Sequence, residues 1–257
     1  MNRTTTIVAI LLALTANTNA DILENFTPIQ EKFWSHLLVP SCVSKYVDPS
    51  GGALIHDSSS FQPYYRATHE SGLFLDTWSS GELGSEYMQR ENGFGSEIDL
   101  GGGWGGPFFD TKLDFEGGFS YWATGDLTDS KDDAILTYAK LSKTSESKNQ
   151  TLTPYISLSH YTILNSAPLD GFIAKIGIDT ERWINEELSF IVGGFLAYDE
   201  GTWGNKDGLI GKFKAGLSWK VNKALTLQPF VEHYCQINTR DAREDQVVYG
   251  INAPLRW

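Results

Sequence analysis

Long segments in which apolar and polar residues alternate are the feature that most constrains the fold of this chain. In 188–198, 209–219 and 247–257, apolar side chains recur at every second position, interrupted only by glycine. Successive side chains of a strand point to opposite faces, so a period of two predicts strands with one apolar face. The sequence predicts twelve such strands, at 40–47, 59–69, 72–80, 95–105, 108–123, 133–143, 151–162, 170–181, 186–199, 207–220, 224–237 and 245–257.

The lengths of these strands and of their connections indicate a membrane barrel. Several strands exceed the roughly 5 to 6 residues typical of soluble domains and approach the 9 to 11 or more that cross a bilayer at a tilt. Long connections such as 80–94 and 124–132 alternate with short ones such as 69–71 and 221–223. Outer-membrane barrels have long loops at one end and tight turns at the other. We therefore predict an all-β fold, a transmembrane antiparallel β-barrel of about twelve strands, over 40–257.

The first 39 residues differ from the rest. A short positive start, the apolar run Ile7 to Leu14 and the small residues around Ala20 predict a secretory signal peptide over 1–20. In the remaining segment, 21–39, Thr27 and Pro28 form a helix start, and apolar residues follow at helical spacing until Pro40. This pattern predicts a short amphipathic helix at 28–38, which either packs on the rim of the barrel, the favoured reading, or plugs the lumen.

Aromatic residues cluster near both ends of the predicted strands. Barrels that span the outer membrane carry an aromatic girdle at each membrane interface. With both termini in the periplasm, one girdle is predicted to face the periplasm and the other the outside. The predicted girdle residues are Trp104, Phe109, Trp219 and Trp257 on the periplasmic side, and Tyr121, Tyr198 and Tyr249 on the outer side.

Several short motifs resemble the TorF-like porin family of small bacterial outer-membrane barrels. They are Ser44-Lys45-Tyr46 followed by Gly51-Gly52, the run 72–80, and Glu97-Ile98-Asp99-Leu100 leading to the glycines at 103–106. The C-terminal Trp257 is also similar to the closing-strand signal by which the barrel assembly machinery recognises its clients. The resemblance departs at Val47-Asp48-Pro49 in the first strand. It implies an outer-membrane barrel and names no substrate.

Charge and motif spacing argue against several other functions. The net charge of −12 disfavours a sequence-independent nucleic acid binder. The glycines at 101–106 have no following Lys-Ser/Thr, so a bent or close-packed strand is predicted rather than a phosphate loop. His56-x-Ser58 and His69-x-Ser71 have the spacing of outer-membrane phospholipases, but neither has an evident Asn or Asp partner, so no enzyme is predicted.

No cofactor or metal site is predicted. Asp126, Asp129, Asp132 and Asp133 lack the spacing of a calcium loop, so a solvated acidic loop is favoured there. The two cysteines, Cys42 and Cys235, are predicted to be free, with Cys42 at the periplasmic start of the first strand and Cys235 near the outer end of the eleventh.

If the apolar faces contact lipid, the charged residues between them must face the lumen, because a Lys or Arg at mid-membrane costs about 2 to 4 kcal/mol on the lipid face. The predicted lumen residues are Glu97, Asp99, Asp114, Glu116, Lys140, Lys175, Asp179, Lys212, Lys214, Glu232 and Arg256.

We therefore predict an outer-membrane porin for passive diffusion of small solutes, whose partners are membrane lipid, lipopolysaccharide and, during assembly, the barrel assembly machinery. Weak cation selectivity is predicted because acids outnumber bases in the predicted outer loops. The acids are Glu82, Glu86, Glu91, Asp126, Asp129, Asp132, Asp133, Asp199, Glu200, Asp241, Glu244 and Asp245; the bases are Arg90, Lys131, Lys206, Arg240 and Arg243. The alternatives are a closed structural barrel with a salt-bridged lumen, a soluble periplasmic β-domain, and an outer-membrane lipid hydrolase.

Overall fold

The computed structural model describes residues 33–83, 97–124, 133–164, 170–204, 206–239 and 244–257. These residues form a closed barrel of twelve antiparallel strands, in which three strands are briefly interrupted. In chain order the strands are β1 (Trp34–Val39 and Ser41–Val43), β2 (Ser60–Phe61 and Tyr64–His69), β3 (Leu73–Glu82), β4 (Glu97–Pro107), β5 (Asp114–Thr124), β6 (Ala134–Ser142), β7 (Gln150–Ile163), β8 (Gly171–Trp183), β9 (Leu188–Asp199), β10 (Gly208–Lys220), β11 (Thr226–Thr239) and β12 (Gln246–Asn252 and Leu255–Arg256).

The barrel closes between its last and first strands. Each strand pairs with the next along the chain, and β12 pairs with β1 through registers such as Leu38 opposite Leu255 and Cys42 opposite Ile251. Closure leaves no strand edge, so the backbone groups are paired as a membrane interior requires. The predicted fold class is confirmed.

The first strand and the N-terminal helix are corrected by the structure. Trp34–Val39 is a strand, so the predicted helix is wrong for residues 34–38, and the predicted strand 40–47 begins six residues too late. Local spacing favoured a helix, but these residues pair with β2 and with β12. Without them only the short pairing of Ser41–Val43 would close the barrel. Pro40 interrupts a strand rather than ending a helix. Residues 28–32 and the predicted signal peptide lie outside the described residues and stay predictions.

A second correction concerns the start of β5. The strand predicted at 108–123 begins at Asp114, because 108–113 forms a turn in which the Phe108 N–H donates to the Leu113 carbonyl at 2.8 Å. Phe109 lies in this turn with a φ of 51° and is 81% exposed. The glycines at 101–106 lie inside β4, as predicted.

The two ends of the barrel differ in their connections. At the end that we call the turn end, the strands are joined at 70–72, 108–113, 143–149, 184–187 and 221–225. The opposite end, which we call the loop end, carries the two longest connections, 44–59 and 83–96. The predicted alternation of long and short connections is clear for these two loops. It is weaker elsewhere, since the turn-end connection 108–113 is as long as the loop-end connection 240–245.

The outer surface is apolar. Leu75 and Ile176 are each 62% exposed, and Leu196 is 53% exposed, on strands whose alternate residues are partly or fully buried. Both cysteines are free, as predicted. The predicted position of Cys42 is wrong, because the earlier start of β1 puts it near the loop end. Within the part of the chain that the structure describes, no helix is long and apolar enough to cross a membrane.

Candidate functional site: the barrel lumen

One face of every barrel strand points into the lumen. Arg66 on β2 contacts Glu116 on β5 at 3.0 Å, although β3 and β4 lie between these two strands. Only on the concave side can such side chains meet, so this pair marks the inward face. Directly opposite residues of paired strands share a face. Strand pairing then identifies the inward residues of the other strands. The pairs of directly opposite residues are Glu116–Lys140, Lys140–Ser157, Ser157–Lys175, Lys175–Ala197, Ala197–Ile210 and Lys214–Glu232.

The predicted lumen residues all occupy inward positions in this register. Asp114 and Arg256 lie at the turn end and are exposed, whereas Glu97 and Glu232 are buried. Arg66, Asp76 and Glu181 were not assigned to the lumen by sequence reasoning, although all three lie on inward positions. The signal for Asp76 was available, because Leu73 and Leu75 are the outward residues of the same strand. The role of these residues in solute passage stays a prediction.

A cluster centred on Arg66 spans β2 to β6. Its guanidinium contacts Asp76 at 2.8 Å and Glu116 at 3.0 Å and lies 4.0 Å from the centre of the Phe74 ring. The Tyr138 hydroxyl donates a hydrogen bond to Glu116 at 3.1 Å. One cation therefore joins two carboxylates across the lumen wall.

Glycines on β4 and β5 make room for this cluster. Gly101 and Gly103 lie on the inward face of β4, between β3 and β5. A Cβ at Gly101 would collide with the Asp76 carboxylate, and one at Gly103 would collide with the Gly117 carbonyl and the Phe74 ring. The glycine-rich stretch therefore serves close packing, which allows the Arg66 side chain to pass over two strands.

A second ion cluster lies on β10 and β11. Lys212 contacts one oxygen of Glu232 at 3.0 Å and Lys214 contacts the other at 3.4 Å. Tyr234 also donates a hydrogen bond to Glu232 at 3.0 Å. Lys212 and Lys214 therefore share one carboxylate, which offsets part of their charge.

Four inward lysines of β6, β8 and β10 lie over aromatic rings, at distances at which a cation is attracted to the ring. The distances from Nζ to the ring centre are 4.6 Å for Lys140 and Tyr155, 4.9 Å for Lys175 and Phe195, 5.0 Å for Lys212 and Tyr234, and 4.3 Å for Lys214 and Phe230.

The connection between β1 and β2 folds into the lumen. Its residues Tyr46–Val47 and Leu54–His56 pair as a small hairpin, which we call the loop-1 hairpin. At its tip, Ser50 accepts a hydrogen bond from Tyr161 of β7 at 2.7 Å, and the Pro49 carbonyl lies 3.5 Å from Lys175 of β8. In a ring of twelve strands β7 lies opposite β1. The hairpin therefore crosses the lumen from one wall to the other.

The hairpin also contacts both flanking walls. On one side the Tyr46 hydroxyl donates to Glu97 of β4 at 2.6 Å, and its ring lies 5.5 Å from that of Trp78 on β3. On the other side Val47 packs in a cluster with Val43, Tyr234 and Val248. A separate apolar cluster fills the inward face of β5 to β9 near the loop end; it consists of Trp122, Ala134, Tyr161, Ile163, Ile173 and Ala197, with Leu136, Phe195 and Trp203 against it.

Burial raises the pKa values of two side chains of the hairpin, Asp48 and Tyr46. Desolvation raises the pKa of the Asp48 carboxyl, while the Ser50 N–H, the Lys175 charge and the Gly51 N–H act in the opposite direction. Desolvation, and then the charge of Glu97, raise the pKa of the Tyr46 hydroxyl, which therefore stays protonated as a donor. Glu97 Oε1 and Asp99 Oδ1 are buried without a hydrogen-bond partner among the described residues.

The two His-x-Ser pairs both form hydrogen bonds. His69 Nδ1 lies 2.8 Å from the hydroxyl of Ser71, which is exposed at the turn end. His56 lies 3.2 Å from the Ser58 hydroxyl and 3.3 Å from that of Ser60, and Ser58 contacts Glu82. Ser60, the serine next to the histidine Nε2, is fully buried. In the described ranges, no group of three or more His, Cys, Asp or Glu side chains could hold a metal ion. Asp126, Asp129 and Asp132 lie outside the described residues.

The predicted girdle residues lie near the ends of the barrel and point outward or lie in a turn. Trp104, Trp219 and Trp257 are at the turn end with between 37% and 49% of their surface exposed. Tyr198 and Tyr249 are exposed nearer the loop end, and Tyr121 contacts Asp133 there. Their function as membrane girdles stays a prediction.

Comparisons with solved structures match the barrel over most of its length. The NanC porin has a TM-score of 0.56 at 9% identity, covering 86% of this chain and 100% of that one. The KdgM porin has a TM-score of 0.52 at 13% identity, covering 87% and 99%. An outer membrane channel from Pseudomonas putida F1 has a TM-score of 0.52 at 8% identity, covering 87% and 95%.

No protein-family model and no curated protein matches the chain, so the resemblance to the TorF-like family stays a prediction. At these low sequence identities, the matches establish the fold and not the function or the substrate. The chain therefore has the twelve-stranded barrel fold of outer-membrane porins and channels.

Proposed function

We propose that this protein is an outer-membrane porin that lets small solutes diffuse passively, with a weak preference for cations. The observation that carries the proposal is the closed barrel with an apolar outer face and a charged inner face. Such a surface is stable only when lipid surrounds the barrel, and polar side chains inside tune which solutes pass. The porins and the channel with this fold support the proposal.

The inward charges support the cation preference. Beyond the predicted lumen residues, the acids Glu181 of β8 and Asp76 of β3 lie on inward positions, together with the base Arg66 of β2. Lys212 and Lys214 share Glu232, which reduces their attraction for anions. Acids near the loop end, such as Glu200, Glu244 and Asp245, add negative charge at the mouth. A negatively charged mouth and lumen wall concentrate cations locally.

The test is the reversal potential of purified protein in a planar bilayer under a KCl gradient. We expect a cation-selective sign that weakens at high salt, because exposed charges are screened beyond about 8 Å at physiological ionic strength. Glu116→Gln should reduce the preference, since it removes an inward carboxylate and frees Arg66. Glu186→Gln, at an exposed turn, is the matched control and should leave it unchanged. An anion-selective sign that Lys212→Glu with Lys214→Glu abolishes would contradict the proposed preference.

A closed structural barrel is the second candidate. The Arg66 and Glu232 ion clusters and the loop-1 hairpin favour it, because they occupy space that an open pore would need. Uptake of small sugars into liposomes, read as osmotic swelling, separates the two candidates. Swelling at a rate that rises with protein content supports the porin, and its absence supports the closed barrel.

A further inference from the structure

We propose that the loop-1 hairpin is the gate of the pore, so that solutes pass at full rate only when the hairpin leaves the lumen. This proposal rests on the proposed porin function. It makes the conductance depend on a few contacts between the hairpin and the barrel wall, rather than on the width of the barrel.

The position of the hairpin places it across any path through the barrel. It starts at the end of β1, and its tip reaches β7 and β8 on the opposite wall. On the way it contacts β4 through Tyr46 and β11 through Gln236, whose amide donates to the Gly52 carbonyl at 3.4 Å. A solute moving along the barrel axis therefore meets the hairpin.

The hairpin is built to move as one unit. The Asp48 N–H donates to the Ala53 carbonyl at 2.8 Å, and the Gly52 N–H donates to the Asp48 carbonyl at 2.9 Å. The Asp48 carboxylate accepts the N–H groups of Ser50 and Gly51 at 2.8 and 2.7 Å. Gly52 has a φ of 69°, which glycine adopts without strain. These four hydrogen bonds join residues of the hairpin to each other, so displacement of the hairpin leaves them intact.

The contacts that hold the hairpin in place are mostly polar side-chain contacts. Two of them have short hydrogen bonds, Tyr46 to Glu97 at 2.6 Å and Tyr161 to Ser50 at 2.7 Å. Glu97 and Tyr161 are buried in the barrel wall, so these two hydrogen bonds form only while the hairpin is in the lumen. They therefore stabilise the closed position. The apolar contacts of Val47 lie on one flank, beside the root of the hairpin.

Removing one of these hydroxyl groups should shift the balance between closed and open positions. A hydrogen bond of this kind changes an equilibrium by about fivefold to tenfold. Tyr46→Phe and Tyr161→Phe should each raise the fraction of time spent at full conductance by about that factor. Tyr155→Phe is the matched control, because Tyr155 also faces the lumen and its hydroxyl has no hydrogen-bond partner among the described residues.

The experiment records single channels of the full chain and of four variants in planar bilayers. The fourth variant replaces 48–53 with a short Gly-Ser link, which removes the tip, and should conduct at the full level throughout. Each variant is first checked for the folded, heat-sensitive form on a gel, so that a misfolded variant is recognised.

The outcomes separate this proposal from the proposed function. Higher open fractions in the two Tyr→Phe variants, with Tyr155→Phe unchanged, support the gate. A wild-type current that neither these substitutions nor removal of the tip alters overturns the gate and leaves the porin standing. If neither the wild type nor the tip-less variant conducts, both the gate and the porin function are overturned.

Discussion

Arg66 is predicted to be the side chain whose loss most destabilises the lumen wall. Its guanidinium, 23% exposed, bridges Asp76 and Glu116 and covers the Phe74 ring. In Arg66→Met the aliphatic stem is retained and the charge is lost. Asp76 and Glu116 then lose the cation that bridges them beside a glycine-lined wall.

The magnitude follows from the contacts that are lost. A hydrogen bond to a charged group contributes about 1.5 to 3 kcal/mol, and partial exposure of the three side chains favours the lower figure. Two such carboxylate partners give a loss of about 3 kcal/mol in the free energy of unfolding. This is at the lower limit of the roughly 3 to 5 kcal/mol expected when one partner of a fully buried pair is removed.

The assay is equilibrium unfolding by guanidinium chloride in detergent micelles, followed by tryptophan fluorescence. Arg182→Met is the matched control, because Arg182 is exposed on β8 and should change stability by less than about 0.5 kcal/mol. Adding Asp76→Asn to Arg66→Met should recover part of the loss, since it removes one unpaired charge. A loss below about 1 kcal/mol, the worth of an exposed ion pair, would refute the reasoning.

Three further predictions follow from the barrel. Unheated protein should migrate differently from boiled protein in an SDS gel, because a closed barrel resists detergent; identical migration would contradict membrane closure. Thiol labelling of the denatured, unreduced protein should find Cys42 and Cys235 both free, and a monomer without reactive thiols would show the register to be wrong. Gly103→Val should lower the folded fraction, because the added side chain collides with its neighbours at a cost of about 1 to 3 kcal/mol. Gly105→Ala should be tolerated, because its Cβ would make only ordinary contacts. Equal stability of the two variants would count against close packing of β4.

Sequence pattern alone was sufficient for most of the barrel. The strands β7 to β12 lie within a few residues of their predicted bounds, because alternation over ten or more residues is a local signal that a one-residue slip would invert. The same alternation assigned Lys140, Lys212 and Glu232 to inward positions.

Only tertiary structure decided the first strand and the contents of the lumen. Residues 34–38 fit helical spacing, and they became a strand because β2 and β12 need a partner between them. The partner residues in β12, Leu255 and Arg256, lie at the far end of the chain. The contact between Arg66 and Glu116 and the path of the loop-1 hairpin to Tyr161 join residues that are far apart in sequence. Periodicity reports which face of a strand a residue occupies, whereas these contacts depend on how the faces meet after the barrel closes.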